Sequence, residues 1–174
     1  DDGRTWAKIS RDLTRADPRT MGNSGGPIVL DQDGPEVYAT IFTIAPSPRD
    51  VRMIWTGSDD GLIHLTNDGG RSWRNVTPPD LPPDSRVSRL EASPHATGTA
   101  YAAVERHQMG DRTPYIWKTS DAGRSWRRLV AGIPADAFVR VVREDPVRAG
   151  LLYAGTEHGV YVSLDGGEQW QALS

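Results

Sequence analysis

The chain contains no cysteine, and only two of its 20 basic residues, Lys8 and Lys118, are lysine. Without thiols no disulfide can hold the fold, and the redox state of its compartment cannot be read from the sequence. The arginine-for-lysine skew is one that genome base composition produces by itself, so arginine number marks no site. No basic run occurs and the formal net charge is −3, which points away from nucleic acid as a partner. No apolar run approaches the roughly 20 residues of a membrane span, and no signal-peptide pattern is present. The four histidines, His64, His95, His107 and His158, show no metal-ligand spacing with carboxylate support. Neither a metal nor a cofactor is expected, and His64 and His95 read as structural.

What the chain does contain is a repeat. Thr66-Asn67-Asp68-Gly69-Gly70-Arg71-Ser72-Trp73 recurs as Thr119-Ser120-Asp121-Ala122-Gly123-Arg124-Ser125-Trp126 and as Ser163-Leu164-Asp165-Gly166-Gly167-Glu168-Gln169-Trp170. The first residues, Asp1-Asp2-Gly3-Arg4-Thr5-Trp6, are the tail of a further copy, so the expectation is that the natural start lies upstream. Each copy sits between runs of alternating apolar residues, such as Gly159 to Ser163 before the third and Trp170 to Leu173 after it, and therefore reads as a hairpin turn. The aspartate (Asp1, Asp68, Asp121, Asp165) can accept backbone N–H bonds inside its own turn. The glycine (Gly3, Gly70, Gly123, Gly167) tolerates positive φ, and the tryptophan (Trp6, Trp73, Trp126, Trp170) covers the turn with a large apolar face. Calcium binding would need several alternating oxygen ligands and a bidentate Glu; these turns offer one carboxylate each, apart from Asp1-Asp2, and are read as structural.

This pattern resembles the Asp-box (BNR) repeat of sialidase-like, sortilin-like and xyloglucanase-like β-propellers, where the box is a structural turn between the two outer strands of a blade. A second landmark supports the same architecture: Ser47-Pro48, Ser93-Pro94 and Asp145-Pro146 each follow a β-rich run. Trp55, Tyr101 and Tyr153 lie eight residues after the Ser or Asp, each two before a small residue. One repeat thus reads as four short antiparallel strands in roughly 40–50 residues, the signature of a propeller blade. The expected fold is all-β with helix essentially absent, as a single partial β-propeller over 1–174. It comprises the last strand of a preceding blade (1–10), an insertion (11–36) and blades at 37–77, 87–130 and 139–174. Closed propellers use about 4–8 blades, so the chain is expected to be a fragment of a larger propeller, or to self-associate.

Comparing landmark spacings locates extra residues. The connection within Arg11 to Glu36 is about 21 residues longer than its counterparts, and the one within Glu105 to Pro114 about seven longer. With alternating strand directions both fall on the same face, and insertions gathered on one face of a repeat architecture mark the binding side. The candidate residues are those of the loops between second and third strands: Asp59, Asp60, Glu105 and Glu157 as weak catalytic candidates, and Arg106, His107, Asp111, Arg112 and His158 for binding.

Three other features suggest chemistry. Gly22-Asn23-Ser24-Gly25-Gly26-Pro27 resembles the nucleophile loop of trypsin-like serine proteases, but that family places its His and Asp before the serine and no histidine precedes Ser24; it reads as a Gly-rich loop leading into Ile28-Val29-Leu30. Asp31-Gln32-Asp33-Gly34 opens like a calcium loop but has Phe42 where the twelfth-position Glu belongs. Glycoside hydrolysis needs two carboxylates about 5–9.5 Å apart, which Asp59, Asp60, Glu105 and Glu157 could supply; the Arg-Ile-Pro signature of sialidases is absent, and no catalytic Asp of the xyloglucanases can be matched here. Similarity to large bacterial Asp-box repeat proteins, often labelled glycosyl hydrolases, implies fold rather than function. Two functions remain: a non-catalytic recognition module binding a glycan or a protein partner through the long-loop face, or part of a glycoside hydrolase using carboxylates of that face. The resemblance favours an extracytoplasmic or secreted location.

Overall fold

The computed structural model describes residues 3–25 and 37–173. Three four-stranded antiparallel sheets follow one another along the chain. The first is built from β1 (Ile41–Pro46), β2 (Ile54–Ser58), β3 (Ile63–Thr66) and β4 (Arg74–Asn75). The second contains β5 (Arg86–Ala92), β6 (Ala100–Arg106), β7 (Asp111–Thr119) and β8 (Arg127–Arg128), and the third β9 (Val139–Glu144), β10 (Leu152–Thr156), β11 (Gly159–Ser163) and β12 (Gln171–Ala172). Within each sheet the strands lie in chain order, and β1, β5 and β9 touch in succession. The architecture is that of consecutive β-propeller blades. No α-helix occurs among the described residues; a single 3-10 turn, His107–Met109, caps the β6–β7 hairpin.

Two apolar cores lie between the sheets. One joins Trp55, Ile63, Leu65 and Val76 of the first to Val87, Leu90, Tyr115 and Trp117 of the second; the other joins Tyr101, Ala103, Ile116 and Leu129 of the second to Val139, Val142, Leu152, Tyr161 and Trp170 of the third. Strand β6 faces both cores, with Ala100, Ala102 and Val104 turned one way and Tyr101 and Ala103 the other. That is why Ala100 to Val104 reads as an unbroken apolar run instead of an alternation.

The Pro turns explain why serine and aspartate interchange there. Ser47 and Ser93 Oγ each accept two backbone N–H groups, from Arg49 and Asp50 and from His95 and Ala96, while Asp145 Oδ1 accepts those of Val147 and Arg148. Any short side chain with an acceptor at that reach closes the turn.

In the longer repeated turn, Asp68 Oδ1 accepts the Thr66 hydroxyl at 2.8 Å and the Ser72 N–H at 2.9 Å, and Oδ2 accepts the Ser72 hydroxyl at 2.6 Å. Asp121 repeats this with Thr119 and Ser125, and Asp165 with Ser163 and the Gln169 N–H. The bonds from Ser72 and Ser125, first the hydroxyl and then the backbone N–H, hold the Asp68 and Asp121 carboxyls down at about 2. Because the folded value lies below the ordinary 3.8, the stabilisation is present above that value and is lost as pH falls through about 2. Melting temperature measured against pH should therefore drop across this window, and the drop should shrink in an Asp68→Asn, Asp121→Asn double variant.

The tryptophan does more than cover its own turn: it reaches the preceding sheet. Trp126 Nε1 donates to Val76 O at 2.7 Å and Trp170 Nε1 to Leu129 O at 3.0 Å, while Trp73 Nε1 donates to Ile9 O at 2.9 Å. Ile9, Val76 and Leu129 each stand three residues after a turn tryptophan, and each side chain rests on the glycine of the next turn, at Gly70, Gly123 and Gly167. The second and third turns thus latch their sheets to the preceding one, and the first holds the segment at Ile9. Trp6 to Ser10, expected as a strand, joins no ladder among the described residues. A strand needs a neighbour to pair with, and here the segment is held through Ile9 instead. Asp1, Gly26-Pro27, Ile28 to Leu30 and Asp31 to Gly34 lie outside the described residues.

Candidate functional site

The loops between second and third strands and those leading into the first strands share one end of the molecule. Asp59, Glu105 and Glu157 occupy the same repeat position, just after β2, near the end of β6 and just after β10. Each faces the start of its own sheet: the Asp59 N–H donates to Thr40 O, the Glu157 N–H to Phe138 O, and Glu105 pairs in register with Arg86.

The nine candidates divide into three groups. Asp59 and Asp60 act on the first sheet and the long connection. Asp59 accepts the Thr40 N–H at 2.8 Å and hydroxyl at 3.1 Å. Asp60 accepts the Arg15 N–H at 2.8 Å and the Ser58 hydroxyl at 2.6 Å, while Arg15 Nε donates back to its carbonyl. Asp60 therefore anchors the long connection to the sheet.

Arg106 and Asp111 form the second group and close the base of the β6–β7 hairpin at 2.7 Å. Burial alone would raise the Asp111 carboxyl, but bonds from the Thr113 hydroxyl and N–H, Tyr115 OH and Arg106 outweigh it and hold it at about 2. Arg106 Nε also donates to Pro83 O, which ties the hairpin to the loop before β5.

Glu105, His107, Arg112, Glu157 and His158 form the third group, a network around Phe138. The buried Glu105 carboxylate faces Arg86 at 3.3 Å, Arg140 at 3.4 Å and His107 Nδ1 at 3.5 Å. His107 stacks on Phe138 with ring centres 4.6 Å apart and planes 10° from parallel. The Arg140 and Arg112 guanidinium carbons lie 4.8 and 5.8 Å from the same ring centre, within the range of cation–π attraction. Arg112 grips Glu157 with both Nε and Nη2, and its proton is held more tightly by that pair. His158 stands 3.6 Å from Glu157 and 3.9 Å from Asp136.

A cavity of about 340 Å³ opens beside this network, lined by Tyr38, Asp59, Asp84, Arg86, Glu105 and His107 among others. That is the size of a small-ligand or side-chain pocket. Thr20 from the long connection and Met109 from the hairpin turn also border it, so both lengthened segments reach one pocket.

Sequence reasoning did not single out Arg86, Phe138, Arg140 or Tyr38. The first three stand at the starts of the first strands, directly across from the acidic positions, and that register was the signal that could have found them. Two of them act across sheets, Arg140 of the third meeting Glu105 of the second and Phe138 stacking on His107, and spacing within one repeat does not carry that information.

No protein-family model matches the sequence, and no curated protein sequence matches it. Among solved structures the chain is similar to YCF48 bound to D1 peptide, with TM-score 0.58 and 21% identity over 76% of this chain and 40% of that one. It is also similar to an ancestral GH74 enzyme, with TM-score 0.63 and 21% identity over 79% of this chain and 19% of that one. The GH74 xyloglucanase from Xanthomonas campestris gives TM-score 0.58 and 17% identity over 77% of this chain and 23% of that one. The chain thus spans less than half the length of each, and the likeness is one of β-propeller fold.

Proposed function

We propose that the chain is a recognition module without catalytic activity, which binds an extended segment of a protein partner through its long-loop face. The observation that carries this reading is the commitment of all four acidic candidates. Asp59 is bonded to Thr40, Asp60 to Arg15 and Ser58, Glu105 is enclosed by Arg86, Arg140 and His107, and Glu157 is gripped by Arg112. A glycoside hydrolase needs one carboxyl free to protonate the leaving oxygen and a second free to attack or activate water. Beside the paired carboxylates of Asp59 and Glu105 and that of Asp84, the cavity is lined by aromatic, guanidinium and amide groups, Tyr38, Arg86, Arg106 and Gln108, suited to backbone and side-chain hydrogen bonds. The fold likeness to YCF48 bound to D1 peptide supports a peptide ahead of a glycan.

The second reading, part of a glycoside hydrolase, is favoured by the likeness to GH74 enzymes. One experiment separates the two. A random peptide display selection is run on the protein, the selected peptides are titrated by calorimetry, and xyloglucan oligosaccharides are incubated with it and analysed for cleavage. Recognition predicts saturable peptide binding, weakened about tenfold or more, or roughly 1.4 kcal/mol, by Arg112→Ala. The same substitution should leave the melting temperature nearly unchanged, because Arg112 is a largely exposed member of its pair. Cleavage by the wild type that disappears in Glu105→Gln and Glu157→Gln would establish the hydrolase instead.

We also read the repeated turns as Asp boxes of the sialidase-like and sortilin-like kind, a reading supported by the Asp-to-hydroxyl-to-glycine bonding of the three described turns. Residues 3–10 are then the outer edge of a further blade, supported by the position of Ile9, with residues 11–36 an insertion on the binding face.

A further inference from the structure

The cavity between the first and second sheets is not electrically balanced. Its wall carries three carboxylates, Asp59, Asp84 and Glu105, against two guanidiniums, Arg86 and Arg106. Both guanidiniums are already engaged. Arg86 faces Glu105 at 3.3 Å and donates to Gln108 Oε1 at 2.8 Å, while Arg106 faces Asp111 at 2.7 Å and donates to Pro83 O at 2.9 Å. Two of the carboxylates are engaged as well: Asp59 receives the N–H and hydroxyl of Thr40, and Glu105 is enclosed by Arg86, Arg140 and His107. Asp84 is different. It is exposed, and among the described residues no hydrogen bond or ion pair joins its carboxylate.

The excess of negative charge reaches Tyr38. Its hydroxyl holds its proton more tightly than usual, first through burial and then through the nearby Asp60, Asp59 and Asp84 carboxylates, against a smaller opposing pull from Arg15. Tyr38 and Met109 also line the cavity. They give apolar surface on which a hydrocarbon stem can lie while its charged end reaches a carboxylate. At about 340 Å³ the cavity has room for a single long side chain.

We infer that this cavity receives one lysine or arginine side chain of the bound segment, with its cation at Asp84. The inference rests on the recognition reading above and adds the partner's chemistry to it: a basic residue anchors the segment.

Two probes test it separately. The first is N-acetyl-lysine N-methylamide, compared with the norleucine analogue that lacks only the ammonium group, each titrated while the Asp84 and Tyr38 resonances are followed by NMR. The lysine amide should shift both along a saturable curve. The norleucine amide should bind at least about fivefold more weakly, and Asp84→Asn should erase the difference. Asparagine suits the variant because it tolerates the left-handed backbone at this position, φ 55. Asp80→Asn, which alters an exposed carboxylate of the same loop outside the cavity, should leave the preference intact. The second probe is the set of display-selected peptides. They should share a lysine or arginine whose replacement by norleucine weakens binding to the wild type at least about fivefold, but not binding to Asp84→Asn.

A lysine amide that leaves Asp84 and Tyr38 unmoved, or that binds Asp84→Asn as tightly as the wild type, overturns the inference whatever the peptides do. Selected peptides that bind as tightly without a basic residue overturn it too, yet leave peptide recognition standing. Lysine-amide binding through Asp84 in a protein that selects no peptide would overturn both the anchored segment and the reading beneath it, leaving a pocket for small cations.

Discussion

Trp170→Ala should lower the free energy of unfolding by about 3–5 kcal/mol, the range for removing a buried Trp or Phe from a core. The indole is almost wholly buried between Tyr101 and Leu129 of the second sheet and Leu152 of the third. Its loss leaves a cavity and also strands the Leu129 carbonyl, which receives Trp170 Nε1 at 3.0 Å. Trp170→Phe separates the two effects. It keeps a six-membered aromatic ring in the core but loses the hydrogen bond and part of the ring volume, so a smaller loss of about 1–3 kcal/mol should follow, mostly the cost of an unsatisfied buried acceptor. Chemical denaturation followed by circular dichroism measures both, and a loss under about 1 kcal/mol for Trp170→Ala would show that the indole does not couple the sheets. Trp6→Ala is the internal control, since an exposed indole should change monomer stability by no more than about 0.5 kcal/mol.

Gly123→Ala should cost about 2–5 kcal/mol, from two sources that can be told apart. Gly123 has φ +75, and a Cβ there would lie 2.6 Å from Val76 Cβ and 3.0 Å from each of its methyls. A non-glycine residue held at such a φ costs about 1–3 kcal/mol, and forcing a methyl into a filled contact costs about 1–3 kcal/mol more. Adding Val76→Ala removes the collision without changing the backbone. The double variant should therefore be more stable than the sum of the two single losses predicts, by at least about 1 kcal/mol of coupling. Strict additivity would mean that Val76 and Gly123 do not press on each other.

Much of this architecture is legible in the linear chain because its determinants are local. The turn aspartates bond to hydroxyls two and four residues away, the Ser/Asp-Pro turns close on N–H groups two and three residues on, and strands announce themselves by alternation. The tryptophan's role was only half visible. That it is large and apolar suits a turn cover, but its acceptor lies 41 to 64 residues earlier, three residues after the preceding turn tryptophan, at a distance no motif encodes. The same limit explains the site. Unequal connection lengths drew attention to Glu105, His107 and Arg112, whereas Phe138, the ring on which His107 stacks, belongs to the next repeat and has no signature of its own. Asp59 and Asp60 resembled Glu105 by position, yet Asp60 is occupied by the backbone of Arg15, 45 residues earlier, a pairing set by how the long connection folds back.

The central claim is that the face carrying Glu105, His107 and Arg112 binds without turning a substrate over. Its most direct test is calorimetric titration of a display-selected peptide into the wild type and into His107→Ala, with xyloglucan oligosaccharides incubated in parallel. The account predicts saturable binding to the wild type, weakened about tenfold or more when the ring stacked on Phe138 is removed, and intact oligosaccharides throughout. Oligosaccharide cleavage, or peptide affinity indifferent to His107, would contradict it.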